Sequence, residues 1–222
     1  MGFRDLIEGK KVVFVGPSTN LQGRGKGKII EKFDVVVRTN GAFPVAPKLV
    51  ADYGKRCDVL YLNTSFVKIM APLPFDVYKK AGLKCVVFKG IDKSILLQYN
   101  EIILARIIPD TCRVWTGPGV ILMGLMILRD LMSCGAKKIH IIGIDFYSSG
   151  KHYFDGYVPP VIKKIAAART KVELSSVHDT IANAEEMISL IRAHKRLFSV
   201  DEEVQKIIDI KNSHGVEKVQ NA

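Results

Sequence analysis

The stretch VVFVGPSTNLQGRGKG, Val12 to Gly27, decides the fold. An apolar run ends in a glycine, short polar side chains follow, and three more glycines stand at alternate positions. A dinucleotide fingerprint needs G-x-G-x-x-G directly after its strand, so that the helix N-terminus meets the pyrophosphate. Here VVFV ends at Gly16 and the next glycine is Gly23, so that spacing fails. No G-x-x-x-x-G-K-[ST] occurs anywhere, which removes the phosphate loop of the nucleoside triphosphatases. What remains is Gly16-Pro17-Ser18-Thr19-Asn20, a tight turn at the carboxyl end of a strand. Open α/β sheets bind ligands at such turns. Ser, Thr and Asn are equally the residues that cap helices, so both readings stand.

The neighbouring segments repeat the pattern. FDVVVRTNGA ends in Arg38-Thr39-Asn40, and CDVLYLNTS ends in Asn63-Thr64-Ser65. Three successive strands that close on amides and hydroxyls predict one crevice lined from several strand ends. KCVVFKG and KKIHIIGID continue the apolar runs, with intervals long enough for helices between them. Continuous apolar runs spaced in this way are how buried parallel strands read. The 222 residues are 48% hydrophobic and no Pro-, Gly- or Ser-rich linker divides them. The expectation is a single α/β domain over residues 1–222, with helices around a mostly parallel sheet.

A net charge of +11 attracts anions: nucleic acid, an anionic membrane face or a small acidic substrate. The cations are scattered from Arg4 to Lys218, without the aromatic-interleaved basic block of a single-strand binder. A phosphate-handling site on a basic surface is therefore expected, with no specific nucleic-acid partner. Peripheral contact with an anionic membrane stays open. Cys57, Cys85, Cys112 and Cys134 form no C-x-x-C pair and read as free thiols in a reducing compartment. MGFRDLIEGKK lacks the apolar core of a signal peptide, and Leu6 stands where a myristoylation signal wants Ser or Thr. VILMGLMIL, Val120 to Leu128, is too short to cross a bilayer. As given, the chain reads as cytoplasmic; a Golgi location is expected only if an anchor has been trimmed away.

The run from Gly16 to Asn40 resembles the large sialyl motif of animal-type sialyltransferases, glycosyltransferase family 29. That motif reads G-N-S-G-N-L-x-G-S-G-x-G and then D-x-V-x-R-x-N. Gly16, Ser18, Asn20, Leu21 and the glycines 23, 25 and 27 fall in register, as do Asp34, Val36, Arg38 and Asn40. WTGPGVILMGLMILRDLMSCGAKKIHIIGIDF is similar to the small sialyl motif, KHYFD to the third motif and VHDTIANAEEM to the last. GIDFYSSGKHY is also similar to its counterpart in the bacterial sialyltransferases of family 42.

The resemblance implies a Rossmann-like, GT-A-variant sialyltransferase fold with a small lid over residues 154–177. It implies metal-independent, inverting transfer of sialic acid from CMP-sialic acid to a glycan hydroxyl, with galactose-terminated acceptors expected and no cofactor beyond the donor. By this resemblance His178 is the expected general base, since an imidazole near neutral pH can take the proton of the attacking hydroxyl. Tyr147 and Tyr153 donate hydrogen bonds to the phosphate of the departing CMP, in place of a metal ion. No D-x-D metal-holding motif is present. Gly16, Ser18, Asn20, Asn40, Asn63, Thr116, Gly117 and Gly119 are the expected donor contacts. Pro118 suits the first turn of the following helix, whose free N–H groups face a carboxylate or phosphate; capping alone is the alternative. Arg24, Lys26 and Lys28 read as a solvated helix start, TIANAEEMISLIRAHKRLF as a helix packed on the core, and the tail from Asn212 as frayed.

Four departures stand out. Pro17 replaces a donor-binding Asn, and Asn183 replaces a Glu of the last motif. Val12 replaces the Cys that pairs with a small-motif cysteine near Cys134, and the interval from Gly119 to Gly143 is longer than usual. Two alternatives therefore remain: a transferase for another CMP-activated acidic sugar, such as a Kdo-like one, or a non-catalytic module that holds nucleotide or nucleic acid.

Overall fold

The computed structural model describes residues 2–64, 67, 75–146, 154 and 179–210. Seven strands, β1 (Lys11–Val15), β2 (Val35–Thr39), β3 (Val59–Leu62), β4 (Cys85–Phe88), β5 (Leu104–Ile107), β6 (Lys138–Ile142) and β7 (Phe198–Val200), form one sheet in the order 5-4-3-2-1-6-7. Every neighbouring pair is parallel. Phe14 stands opposite Val37 of β2 and Ile141 of β6, which sets the register at the centre.

Helices cover both faces, and this explains the unbroken apolar runs. Val12 and Phe14 pack into the core built with the helices Met123–Ser133 and Thr180–Ala193. Val13 and Val15 pack into a second core with Leu21, Ile30 and Tyr53. Alternate residues therefore bury in opposite layers, and none can be polar without a partner. β5 and β7 escaped the apolar-run reading because they are the edges. β5 reads Leu-Ala-Arg-Ile with only Ala105 fully buried, and β7 has three residues.

The chain steps outward from β1 to β5, then returns past β1 to β6. The order reverses between β1 and β6, and the crevice beyond the carboxyl ends at such a switch point is where open sheets bind ligands.

The glycine rhythm has a structural cause. Gly23 and Gly25 have φ of +74° and +63°, and their N–H groups both donate to Asp52 at 2.8 Å. A Cβ on Gly27 would lie 2.3 Å from the Val50 carbonyl oxygen. Arg24 and Lys26 are not simply solvated: they pair with Glu203 at 3.5 Å and Glu202 at 2.8 Å, while Lys28 is exposed.

Polar groups buried under the sheet are mostly partnered, although Arg38 Nη1 has no partner among the described residues. Arg38, fully buried, donates to the carbonyls of Arg56, Tyr53 and Gly54, and burial lowers its pKa to about 10. It fastens a loop rather than lining the crevice. Asp130 on the Met123–Ser133 helix accepts from Tyr61 at 2.8 Å and from Arg106 at 3.1 Å, tying that helix to β3 and β5.

Cys57, Cys85, Cys112 and Cys134 are free thiols, and Val12 is fully buried. No helix among the described residues is long and apolar enough to cross a membrane. The expected lid at 154–177, apart from Phe154, and the tail beyond residue 210 lie outside the described residues.

Candidate functional site

The crevice forms where the turns after β1 and β6 lie side by side. The Gly16 N–H donates to the Ile142 carbonyl at 2.8 Å, and the Ser18 N–H to that of Gly143 at 3.0 Å. A Cβ on Gly16 would sit 2.3 Å from the Gly143 oxygen, so no larger residue lets the turns approach. Its contribution is therefore a backbone path and not a side-chain contact. Pro17, Ser18, Thr39 and Asn40 form one wall. Gly143 to Phe146, Leu122 to Gly124 and the start of the Thr180–Ala193 helix form the others, over a floor of Phe14 and Met187. The enclosed volume is about 100 Å³. Small-molecule sites usually run to roughly 300–1,000 Å³, so the described walls make the floor of a site and not the whole.

Each polar side chain can be traced. The Ser18 hydroxyl accepts from the Asn20 N–H at 3.3 Å, so the capping reading of this turn holds alongside its place in the wall. Asn20 donates through Nδ2 to the Ile144 carbonyl at 3.3 Å, joining the β1 turn to the β6 turn. Asn40, at φ +47°, accepts the Asn63 N–H on Oδ1 at 2.9 Å and so fixes the ends of β2 and β3 together. Phe146, at φ +50°, is the other non-glycine residue with left-handed backbone among those described, and it too lines the crevice. Such conformations cluster at sites where the surroundings over-determine the chain. Of the five buried side-chain polar atoms with no partner among the described residues, two, Asn20 Oδ1 and Thr39 Oγ1, belong to the turn after β1 and the end of β2.

Asn183 has a role that the motif comparison did not reveal. It is fully buried, accepts the Leu122 N–H at 2.7 Å, and donates to the carbonyls of Val120 at 3.2 Å and Asp179 at 2.9 Å. Acceptor and donor are both needed there, and a carboxylate in the Asn183 position would lack the donor. The side chain holds the strand-like stretch that leads into the Met123–Ser133 helix. That helix begins at Met123, so Pro118 lies before it and not in its first turn. The Met123 and Gly124 end of the helix borders the crevice, where first-turn N–H groups lack intrahelical partners.

Of the expected donor contacts, Gly16, Ser18, Asn20 and Asn40 come together, and Asn63 joins them through Asn40. Thr116 and Gly117 do not; they line a separate hollow on the outer side of the Thr180–Ala193 helix. Gly119 is exposed, with φ +71°, between the two. Tyr147, Tyr153 and His178 lie outside the described residues. Sequence reasoning missed Thr39 and Asp145 as wall residues, although both stand in quoted strand ends, RTN and GID. Pro17 presents its ring to the crevice, while its carbonyl accepts the Phe154 N–H at 2.9 Å. Phe154, in turn, packs on Tyr53 with ring centroids 4.7 Å apart.

A seven-stranded parallel sheet with a crevice at its switch point defines a Rossmann-like α/β fold of the ligand-binding kind. More particularly, the fold is sialyltransferase-like. It is similar to a mammalian sialyltransferase crystallised with Gal-β1-3GalNAc-ortho-nitrophenol, at a TM-score of 0.57 and 14% identity over 90% of this chain and 72% of that one. A second mammalian sialyltransferase structure gives a TM-score of 0.56 at 14% identity, over 87% of this chain and 69% of that one. The sequence matches no protein-family model and no curated protein.

Proposed function

We propose that this chain is a glycosyltransferase that moves sialic acid from CMP-sialic acid to a glycan hydroxyl, inverting the anomeric centre without a metal ion. The observation that carries the reading is a coincidence of place. The large-motif residues Ser18, Asn20 and Asn40 converge with the β6 turn at the switch point of a sialyltransferase-like sheet. Neither of the two readings it displaces, a dinucleotide site or a triphosphatase loop, has its motif here.

In this reading the crevice receives the cytidine nucleotide. Asn20 Oδ1 and Thr39 Oγ1 supply hydrogen-bonding capacity that the described residues leave unused, and the first-turn amides at Met123 and Gly124 suit an anionic group. His178 takes the proton from the acceptor hydroxyl as it attacks, and Tyr147 and Tyr153 donate to the phosphate oxygens as the glycosidic bond to CMP breaks. The proton ends on His178 and the negative charge on CMP.

The test is transfer of labelled sialic acid to a galactose-terminated acceptor, with and without a chelator. His178→Ala is expected to lower kcat by about 10²- to 10⁴-fold while CMP still binds. Full activity in that variant overturns the base assignment, and loss of transfer on chelation overturns metal independence. Transfer from a CMP-Kdo donor alone moves the assignment to that sugar. CMP binding with no transfer from either donor leaves a nucleotide-binding module.

A further inference from the structure

The second hollow, on the far side of the Thr180–Ala193 helix, measures about 370 Å³, within the roughly 300–1,000 Å³ usual for small-molecule sites. It is larger than the crevice, and its walls are fixed. The Trp115 indole N–H donates to the Pro118 carbonyl at 3.2 Å, and Gly117 lies so close to the ring that a Cβ there would be 2.5 Å from Cζ2. Arg129 is held at both ends, by the Val114 carbonyl and by Glu186 at 2.8 Å. A half-buried aromatic plane beside oriented charged and hydroxyl groups, among them Glu185 and Ser189, is therefore in place before any ligand arrives.

Charge selects the ligand. Arg129 contributes +1 and Glu185 and Glu186 contribute −2, so the described lining carries −1 in a chain of net charge +11. An anionic nucleotide or sialyl group is disfavoured there, which agrees with the separation of Thr116 and Gly117 from the crevice. A neutral polyhydroxylated ring suits the hollow: its C–H face can lie on Trp115 while its hydroxyls bond to the carboxylates, the guanidinium and Ser189. Between hollow and crevice, Val120 and Ile181 are 39% and 63% exposed, an apolar rim over which a ligand chain can pass from one to the other.

We propose that this hollow is a second sugar-binding site, taking a neutral pyranose of the glycan acceptor behind the residue that receives the transfer. The inference rests on the acceptor reading above, and it is tested without the reaction. Trp115 is the only tryptophan of the chain, so its fluorescence reports the hollow directly. Titration of the full chain, with no nucleotide present, is expected to give a saturable emission change with a galactose-terminated tetrasaccharide and none with methyl β-galactoside. Ser189→Tyr, an exposed helix position, fills the hollow and is expected to abolish the response while the melting transition stays in place. In the transfer assay, Trp115→Ala is expected to raise KM for the tetrasaccharide about tenfold, the effect of removing an aromatic anchor. No saturable change with the tetrasaccharide, an equal change in Ser189→Tyr, or a change given by a lysine-rich peptide in place of the sugar overturns the proposal. A normal titration in a chain that transfers nothing supports the hollow and counts only against the reaction.

Discussion

At the amino-terminal end of β3, Asp58 is buried and uses both carboxylate oxygens. One accepts the Val36 N–H and the Arg56 guanidinium, each at 2.8 Å, and the other accepts Lys84 at 2.8 Å. At the carboxyl ends of β1 and β2, Asn20 Oδ1 and Thr39 Oγ1 are buried as well, yet neither has a partner among the described residues. The same sheet thus carries matched polar groups at one end and unmatched ones at the other. A buried polar group costs stability unless it is hydrogen-bonded, so unmatched atoms persist where something other than stability keeps them. The matched end holds the fold together; the unmatched end borders the crevice proposed to take the nucleotide.

The largest effect is expected at the matched end. Asp58→Ala leaves the buried Val36 N–H without its acceptor and removes the carboxylate that faces Arg56 and Lys84, and is expected to cost about 2–3 kcal/mol, the size of an unsatisfied buried donor together with two partly exposed ion pairs. Urea unfolding measures this loss; if the crevice receives the nucleotide, CMP affinity is expected to stay unchanged, because Asp58 lies at the opposite end of the strands from it. A stability change below about 1 kcal/mol, the range of an exposed pair, would erase the contrast between the two ends.

The same carboxylate sets a pH dependence. Burial alone would push the Asp58 carboxyl up, but Lys84, the Val36 N–H and Arg56 together hold it below the usual carboxylate range. Its stabilisation is therefore complete above the unfolded-state value of about 3.9, and is lost as pH falls through the lower folded-state value. Below about pH 4 the wild-type chain is expected to lose stability more steeply than Asp58→Asn, which has no such carboxylate to protonate. Parallel acid limbs in thermal melts of the two proteins would remove Asp58 as the cause.

Sequence patterning made the central strands legible, because burial on both faces forces the continuous runs at β1 to β4 and β6, while the Asp58 pairing left no local signal. It was silent on β5 and β7, where an edge needs no such run. The crevice was legible through residues whose position follows from being next to a strand end: Gly16, Ser18, Asn20 and Asn40. Thr116 and Gly117 were misplaced because the longer interval after them puts five residues between Gly117 and the helix start at Met123 and turns them outward. Asn183 looked like a weakened motif position, since two of its three hydrogen bonds join residues some sixty positions apart that no local pattern connects.

Thr39 isolates the smallest term of the comparison. Thr39→Val keeps the branched shape and removes a hydroxyl that has no partner among the described residues, so stability is expected to hold or rise slightly, in contrast to Asp58→Ala. If the crevice receives the nucleotide, the same change removes one hydrogen bond to it, and CMP affinity is expected to fall about tenfold, or about 1.4 kcal/mol. Calorimetric titration with CMP and urea unfolding of the one variant give both numbers. A variant that loses stability and keeps its CMP affinity would mean that the Thr39 hydroxyl serves the fold. The unmatched end would then differ from the matched one only in geometry, and the argument for a ligand at Thr39 would fall with it.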